Sequence, residues 1–208
     1  MEYKLTEKKL VVTLKNKLLN LNNNPFKGIW INKRLNRECI INEYKEEFGY
    51  KPVLQPEIDM IFRTPDNKLN AIEVKYLTKK NSAFSFSYYF GIGQALSLKR
   101  FGFDHVGLWL LVDENIPIKE TNFYGSAAWS LIRNDLKLNL EYSYFKIYIN
   151  KGKISFKVMQ YKGDGHGFKL VNNIEDKKFG ITWKYPNEIR CYDKPKFMRN
   201  LIEKYICI

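Results

Sequence analysis

Cysteine is scarce in this chain. The 208 residues hold three, Cys39, Cys191 and Cys207, scattered and without a Cys-x-x-Cys pair. That excludes a zinc ribbon, a disulfide framework and a four-cysteine cluster. Histidine is scarcer still: His105 and His166 do not form a metal pair by spacing, and no Ser-His-Asp order stands out. His105 reads as structural, and His166, in a Gly163-Asp164-Gly165-His166-Gly167 loop, as a residue that could touch DNA. That loop lacks the Lys-Ser/Thr ending of a phosphate loop. No apolar run approaches the ~18–20 residues that span a bilayer, so a membrane partner is not expected. Met1 to Leu21 alternates charge with leucine, unlike a signal peptide, so a cytoplasmic location is expected. No internal repeat or linker is evident, which suggests a single domain over 1–208.

Acidic residues are also in deficit. There are 22 Asp+Glu against 35 Lys+Arg, a formal charge of +13. Such an excess suggests a polyanionic partner, nucleic acid before membrane. An AT-rich genome, which inflates Lys, Asn and Ile, would produce the same bias. Hydrophobic residues at 45% and aromatics at 15% indicate a folded globule.

The chain is organised around Pro56 to Lys75. Two alternating apolar runs flank a Pro65-Asp66-Asn67 turn signal, predicting a β-hairpin. Successive strand residues point to opposite faces. Ile58, Met60 and Phe62 then share one face, and Asp59, Ile61 and Arg63 the other. If Ile58, Met60, Ile72 and Val74 look inward, Asp59, Glu73 and Lys75 converge opposite them. Two carboxylates beside an ammonium suit a hard divalent cation, which takes oxygen ligands together with substrate phosphate. A surface salt bridge across the hairpin is the plainer reading of the same residues.

Around this hairpin the periodicity predicts a helix over 6–21, capped by Thr6, with Leu10, Leu14, Leu18 and Leu21 on one face. It predicts a second helix over 35–48, with Asn36 or Asn32 as cap and Gly49 as stop. A third covers 84–101, where Gln94 shares a face with Phe90, Leu98 and Phe101. Gly91 and Gly93 on it permit close approach to a sheet or a DNA backbone. Residues 105–112 read as a strand buried on both faces. Beyond it, a helix over 121–136 and a hairpin of 142–149 with 153–161 are expected, with Phe145, Ile147 and Ile149 facing Ile154, Phe156 and Val158. Residues 196–205 read as a closing helix. Tyr142, Tyr144, Lys146, Tyr148 and Lys157 could stack bases beside phosphate contacts or form one wet face of a sheet.

Asp59, a turn, and Glu73-Val74-Lys75 at the end of an apolar strand, with Pro56 ahead of them, resemble the PD-(D/E)xK nuclease superfamily. Two residues separate Pro56 from Asp59, so the adjacent Pro-Asp pair is absent, and Glu57 is an alternative acid. The resemblance implies an α/β fold with a restriction-endonuclease-like αβββαβ core over about 33–113, its central mixed sheet flanked by helices. An N-terminal helix (6–21) and a C-terminal α+β extension (114–208) complete it. The implied activity is a Mg²⁺- or Mn²⁺-dependent deoxyribonuclease. Asp59, Glu73 and the Val74 carbonyl would hold the metal, and Lys75 would position the attacking water. An acid on the first core helix would help, Glu38 ahead of Glu43 and Glu47. Gln94 would orient Lys75 or a phosphate, although Leu98 stands where RecB-like members carry a tyrosine. Glu38 lies about three helical turns before Gly49-Tyr50. That spacing is similar to archaeal Holliday-junction resolvases and to nucleases of archaeal, fusellovirus-like viruses, and it implies a homodimer acting on branched or junction DNA. Arg63, Lys79, Lys80, Lys99 and Arg100 are the expected nucleic-acid contacts. A non-catalytic nucleic-acid-binding protein on the same fold is the alternative, and a structural partner protein with compositional charge a third reading.

Overall fold

The computed structural model describes residues 5–21, 24–78, 87–161, 168–174 and 183–208. The first helix, α1 (Glu7–Leu19), starts at Thr6, whose Oγ1 accepts a hydrogen bond from the Lys9 N–H at 3.3 Å. Glu7 sits in its first turn, where the helix dipole favours an anion. Leu10, Val11, Leu14 and Leu18 form its buried stripe.

Strand β1 (Gly28–Arg34) follows, which sequence periodicity did not foresee. Next come α2 (Glu38–Phe48), β2 (Glu57–Arg63), β3 (Leu69–Leu77), α3 (Ser87–Ser97) and β4 (His105–Val112). Helix α2 begins later than expected. Neither Asn36 nor Asn32 caps it: Arg37 holds that position without a side-chain cap bond, and Asn32 lies in β1 with φ +51°. Gly49, at φ +77°, ends it as expected. A 3-10 turn, Leu98–Phe101, extends α3. Thus the chain runs helix, strand, helix, strand, strand, helix, strand, with only two strands between α2 and α3.

The remaining elements are α4 (Ile118–Ser130), continued by a π turn at Leu131–Asp135, then β5 (Glu141–Asn150), β6 (Lys153–Tyr161), β7 (Phe168–Asn173) and α5 (Asp193–Tyr205). Among the described residues seven strands form one sheet in the order β1-β2-β3-β4-β5-β6-β7. Pairing is parallel for β3–β4 and β4–β5 and antiparallel elsewhere. The fold is therefore α/β with a mixed sheet flanked by helices. The C-terminal part is a continuation of this sheet through β5. The expected cross-strand partners are found: Phe145 with Val158, Ile147 with Phe156, and Ile149 with Ile154.

Helices cover both faces. On one side α1 packs its leucines against Met60, Phe62, Ile72, Val74 and Trp109. On the other, residues of α2, α3, α4 and α5 pack with Ile61, Ala71, Leu108 and Leu110. This second cover changes the reading of the β5 aromatics. Tyr144 is buried, with its hydroxyl donating to the Thr121 carbonyl at 2.5 Å. Lys146 is buried too, its ammonium bonded to the Ile116 carbonyl and, at 3.1 Å, to Thr121 Oγ1. Both belong to the interior beneath α4 and are closed to bases and phosphates.

Candidate active site

Strands β2 and β3 are paired from Arg63–Leu69 to Met60–Ile72 and no further. The next position sets Asp59 opposite Glu73. A parallel irregularity lies on the outer side. Register between β1 and β2 skips the Asn32–Asp59 position, where the left-handed φ of Asn32 breaks the ladder. Ile58 consequently packs with Ile61 in one half of the core while Met60 packs in the other, so strict alternation fails at Asp59.

Where the two strands part, carboxylates replace the missing ladder. Asp59 Oδ2 accepts the Val74 N–H at 2.8 Å, and Glu7 Oε2 accepts the Tyr76 N–H at 3.0 Å. Two edge N–H groups of β3 are thereby satisfied by acids from β2 and α1. Lys75 lies between them in sequence. Its ammonium is 2.6 Å from Glu73 Oε1 and 3.6 Å from Glu7 Oε1. The Glu73 side chain is only 4% exposed and that of Lys75 14%, whereas Glu7 is more open at 36%.

Helix α3 presses on this group from the core side. A Cβ built on Gly91 would stand 2.7 Å from Lys75 Cγ and 2.9 Å from Leu108 Cδ1. Glycine is needed there for the helix to lie on the lysine stem. Gly91→Val is expected to destabilise the protein by about 1–3 kcal/mol by overpacking and to displace Lys75. Thermal denaturation would check it. Gly93 meets no such neighbour.

Burial governs the electrostatics. Asp59 is pushed up to about 6, chiefly by burial, against the opposing Val74 hydrogen bond and Lys75 charge. Glu73 is pushed up to about 7, by burial first and the Asp59 charge second. For Lys75, burial pulls down, but Glu73, Glu7 and Asp59 outweigh it and the net direction is upward. Three carboxylates thus face one ammonium, and the buried acids retain protons to near neutrality.

The other expected site residues lie apart. Glu38 is exposed in the first turn of α2, and the charges that act most on Asp59 are those of Lys75, Glu7 and Glu57. Glu57 itself is held by Lys8 and Arg34, each at 2.8 Å. Gln94 is exposed: the buried stripe of α3 runs through Tyr88, Ile92 and Ala95, and Phe90 also faces solvent. The amide is therefore not embedded in an apolar stripe. Arg63 pairs with Glu203 at 3.4 Å and Lys99 with Glu188 at 2.9 Å, while Arg100 is exposed. Lys79, Lys80 and His166 lie outside the described residues. His105 is buried, with Nδ1 3.0 Å from the Tyr185 carbonyl oxygen.

Sequence reasoning missed Glu7. Its only local signal was an acid in the first turn of a capped helix. Its role here arises from a contact 69 residues distant in the chain.

The donor set fits a hard divalent cation. Such ions bind through one or two carboxylates, completed by water and substrate oxygens. A bound cation would favour the ionised forms of Asp59 and Glu73, which burial disfavours. Among the described residues no three or more His, Cys, Asp or Glu side chains form a ready-made metal cage; Glu7 and Glu73 both turn to Lys75 instead. Comparison of the chain with protein-family models and with curated proteins gives no match. Among the described residues no helix is long and apolar enough to cross a membrane.

Proposed function

We propose that this protein is a Mg²⁺- or Mn²⁺-dependent nuclease that hydrolyses phosphodiester bonds of DNA. One observation carries the reading: Asp59 and Glu73 are half-buried and buried carboxylates set opposite each other where β2 and β3 part, with the Lys75 ammonium 2.6 Å from Glu73. The element order supports it as well. Read from α1, the chain runs α1, β1, β2, β3, α3, β4, which matches an αβββαβ core if α2 is an insertion between β1 and β2. Glu7, on the first helix of that order, then takes the part that the resemblance gave to Glu38.

Each residue has a distinct task. Val74 N–H fixes Asp59 through Oδ2, which leaves Oδ1 for a cation. Glu73, and the Val74 carbonyl beside it, would complete the protein's share of the ligands. A bound divalent ion would polarise a phosphoryl oxygen and lower the pKa of a coordinated water. Lys75 carries three donor hydrogens. Glu73 and Glu7 orient the ammonium, and a remaining N–H serves a phosphate oxygen or the attacking water. Glu7 also ties α1 to the edge of β3, so it positions Lys75 and closes that edge at once.

The test is incubation of duplex, single-stranded and four-way-junction DNA with Mg²⁺ or Mn²⁺. Cleavage by wild type and its absence with Glu73→Ala is expected. Intact DNA on every substrate with wild type would refute the reading. Glu7→Ala should lower the rate by about 10–100-fold, the usual cost of losing an outer-shell partner. Glu38→Ala should leave the rate unchanged, and the comparison of the two rates decides between the acids. The resemblance further suggests a homodimer, which sedimentation would measure.

A further inference from the structure

Away from the carboxylates, a cavity of about 410 Å³ lies between the 50–54 loop, the turn after α3 and the start of α5. It is of the size that small organic ligands occupy. Its walls combine aromatic rings with cations: Tyr44, Tyr50 and Tyr192, together with Arg100 and Lys194. Asp193 is the acid among its lining residues.

Tyr44 and Tyr50 meet edge to face with centroids 5.8 Å apart. Tyr50 is 42% exposed and Tyr192 63%, so both rings offer surface. The Lys194 ammonium lies 5.2 Å from the Tyr50 ring centroid and draws that phenol below its ordinary value. The cations differ from most of their neighbours. Lys99, Arg190 and Arg199 each face a carboxylate within 4 Å, whereas among the described residues Arg100 and Lys194 have no such ion pair. Two cations without carboxylate partners, beside open tyrosine rings, match a planar ring bearing a phosphate.

Resting on the nucleic-acid reading above, we infer that this cavity binds one unpaired nucleotide of a single strand, its base against Tyr50 and Tyr192 and its phosphate on Arg100 and Lys194. Aromatic rings with flanking cations are the general means of holding single strands without regard to sequence. The cavity is also tethered to the carboxylates. Leu54, which lines it, is five residues before Asp59, a span of at most about 18 Å. A strand held here lies within reach of the carboxylates, and on this inference the substrate class is DNA with an unpaired segment.

The test measures binding in EDTA, where metal-dependent cleavage cannot intervene. A fluorescein-labelled oligothymidylate of about eight nucleotides, within the usual single-strand site size, is titrated with wild type and variants by anisotropy. Tyr50→Ala is expected to weaken binding by about 5–100-fold, the range for losing one base-stacking ring. Tyr50→Phe should bind like wild type. The double variant Arg100→Gln/Lys194→Gln should flatten the slope of log K against log salt by roughly 0.7, one phosphate neutralisation on a single strand. All these side chains are on the surface, and melting curves confirm folding. Wild-type binding by Tyr50→Ala and by the double variant, or a wild type that binds no oligothymidylate, overturns the inference. The nuclease reading is judged separately: DNA cut with Mg²⁺ by a protein whose cavity variants bind normally removes the cavity and keeps the nuclease. Uncut DNA with cavity-dependent binding does the reverse.

Discussion

Glu73→Gln is expected to lower the proposed Mg²⁺-dependent cleavage by at least ~10³-fold, equivalent to ~4 kcal/mol of transition-state stabilisation. The substitution changes little in shape. An amide still accepts a hydrogen bond from Lys75, so the 2.6 Å contact has a neutral replacement. What is lost is one of two carboxylates opposed across the parting strands. The remaining Asp59 already gives Oδ2 to Val74 N–H. Single-turnover rates at saturating protein, compared for wild type and variant, measure the effect free of binding changes. A residual rate within tenfold of wild type would remove Glu73 from the chemistry. Asp59→Asn should behave alike, with an added cost to stability from disturbing the bond to Val74.

The same substitution should act in the opposite direction on the stability of the metal-free protein. Glu73 is raised in the folded state to about 7, from an ordinary value of 4.5. A raised carboxyl binds its proton more tightly when folded, so folding is favoured at low pH and loses support as pH rises between those values. Above pH 7 the full cost is felt, on the order of 1–3 kcal/mol. Glu73→Gln removes that cost. The variant should therefore melt higher than wild type at pH 8 in EDTA, by roughly 2–10 °C, and the difference should vanish near pH 4.5. Mg²⁺ at pH 8 should raise the melting temperature of wild type and leave the variant nearly unmoved, because only an ion bound to the folded state stabilises it. Melting curves with and without Mg²⁺ at the two pH values check both statements. A variant that melts lower at pH 8 would mean that the ion pair with Lys75 outweighs the burial of the carboxylate.

The hairpin that places Asp59, Glu73 and Lys75 was legible because its signals are local: alternation, a turn, and a lysine two residues after a glutamate. The β5–β6 hairpin was legible for the same reason, down to its cross-strand partners. Strand β1 was not. It lies at the sheet edge with Ile29 packed on one side and Trp30 on the other, so its residues do not alternate apolar with polar. The phase of α3 was misjudged because large aromatics suggested the buried side. Contact is made instead by Gly91, Ile92 and Ala95, small enough for the helix to lie close to the sheet. Lys146 was read as surface because lysine is rarely buried; its carbonyl partners come from the turn before α4 and were not visible in the pattern of β5. Glu7 escaped because a pairing between distant segments leaves no trace in spacing.

Every strand of the sheet neighbours its successor in the chain, so the sheet can grow strand by strand as the polypeptide emerges from the ribosome. Helix α5 breaks that vectorial order. Its Met198, Leu201 and Ile202 belong to the same core as Ile40, Leu98 and Phe101, and Arg37 of the early chain donates to the Tyr205 carbonyl at 2.5 Å. Until α5 has been synthesised, the apolar flank formed by Ile40, Leu98 and Phe101 therefore lacks that part of its cover.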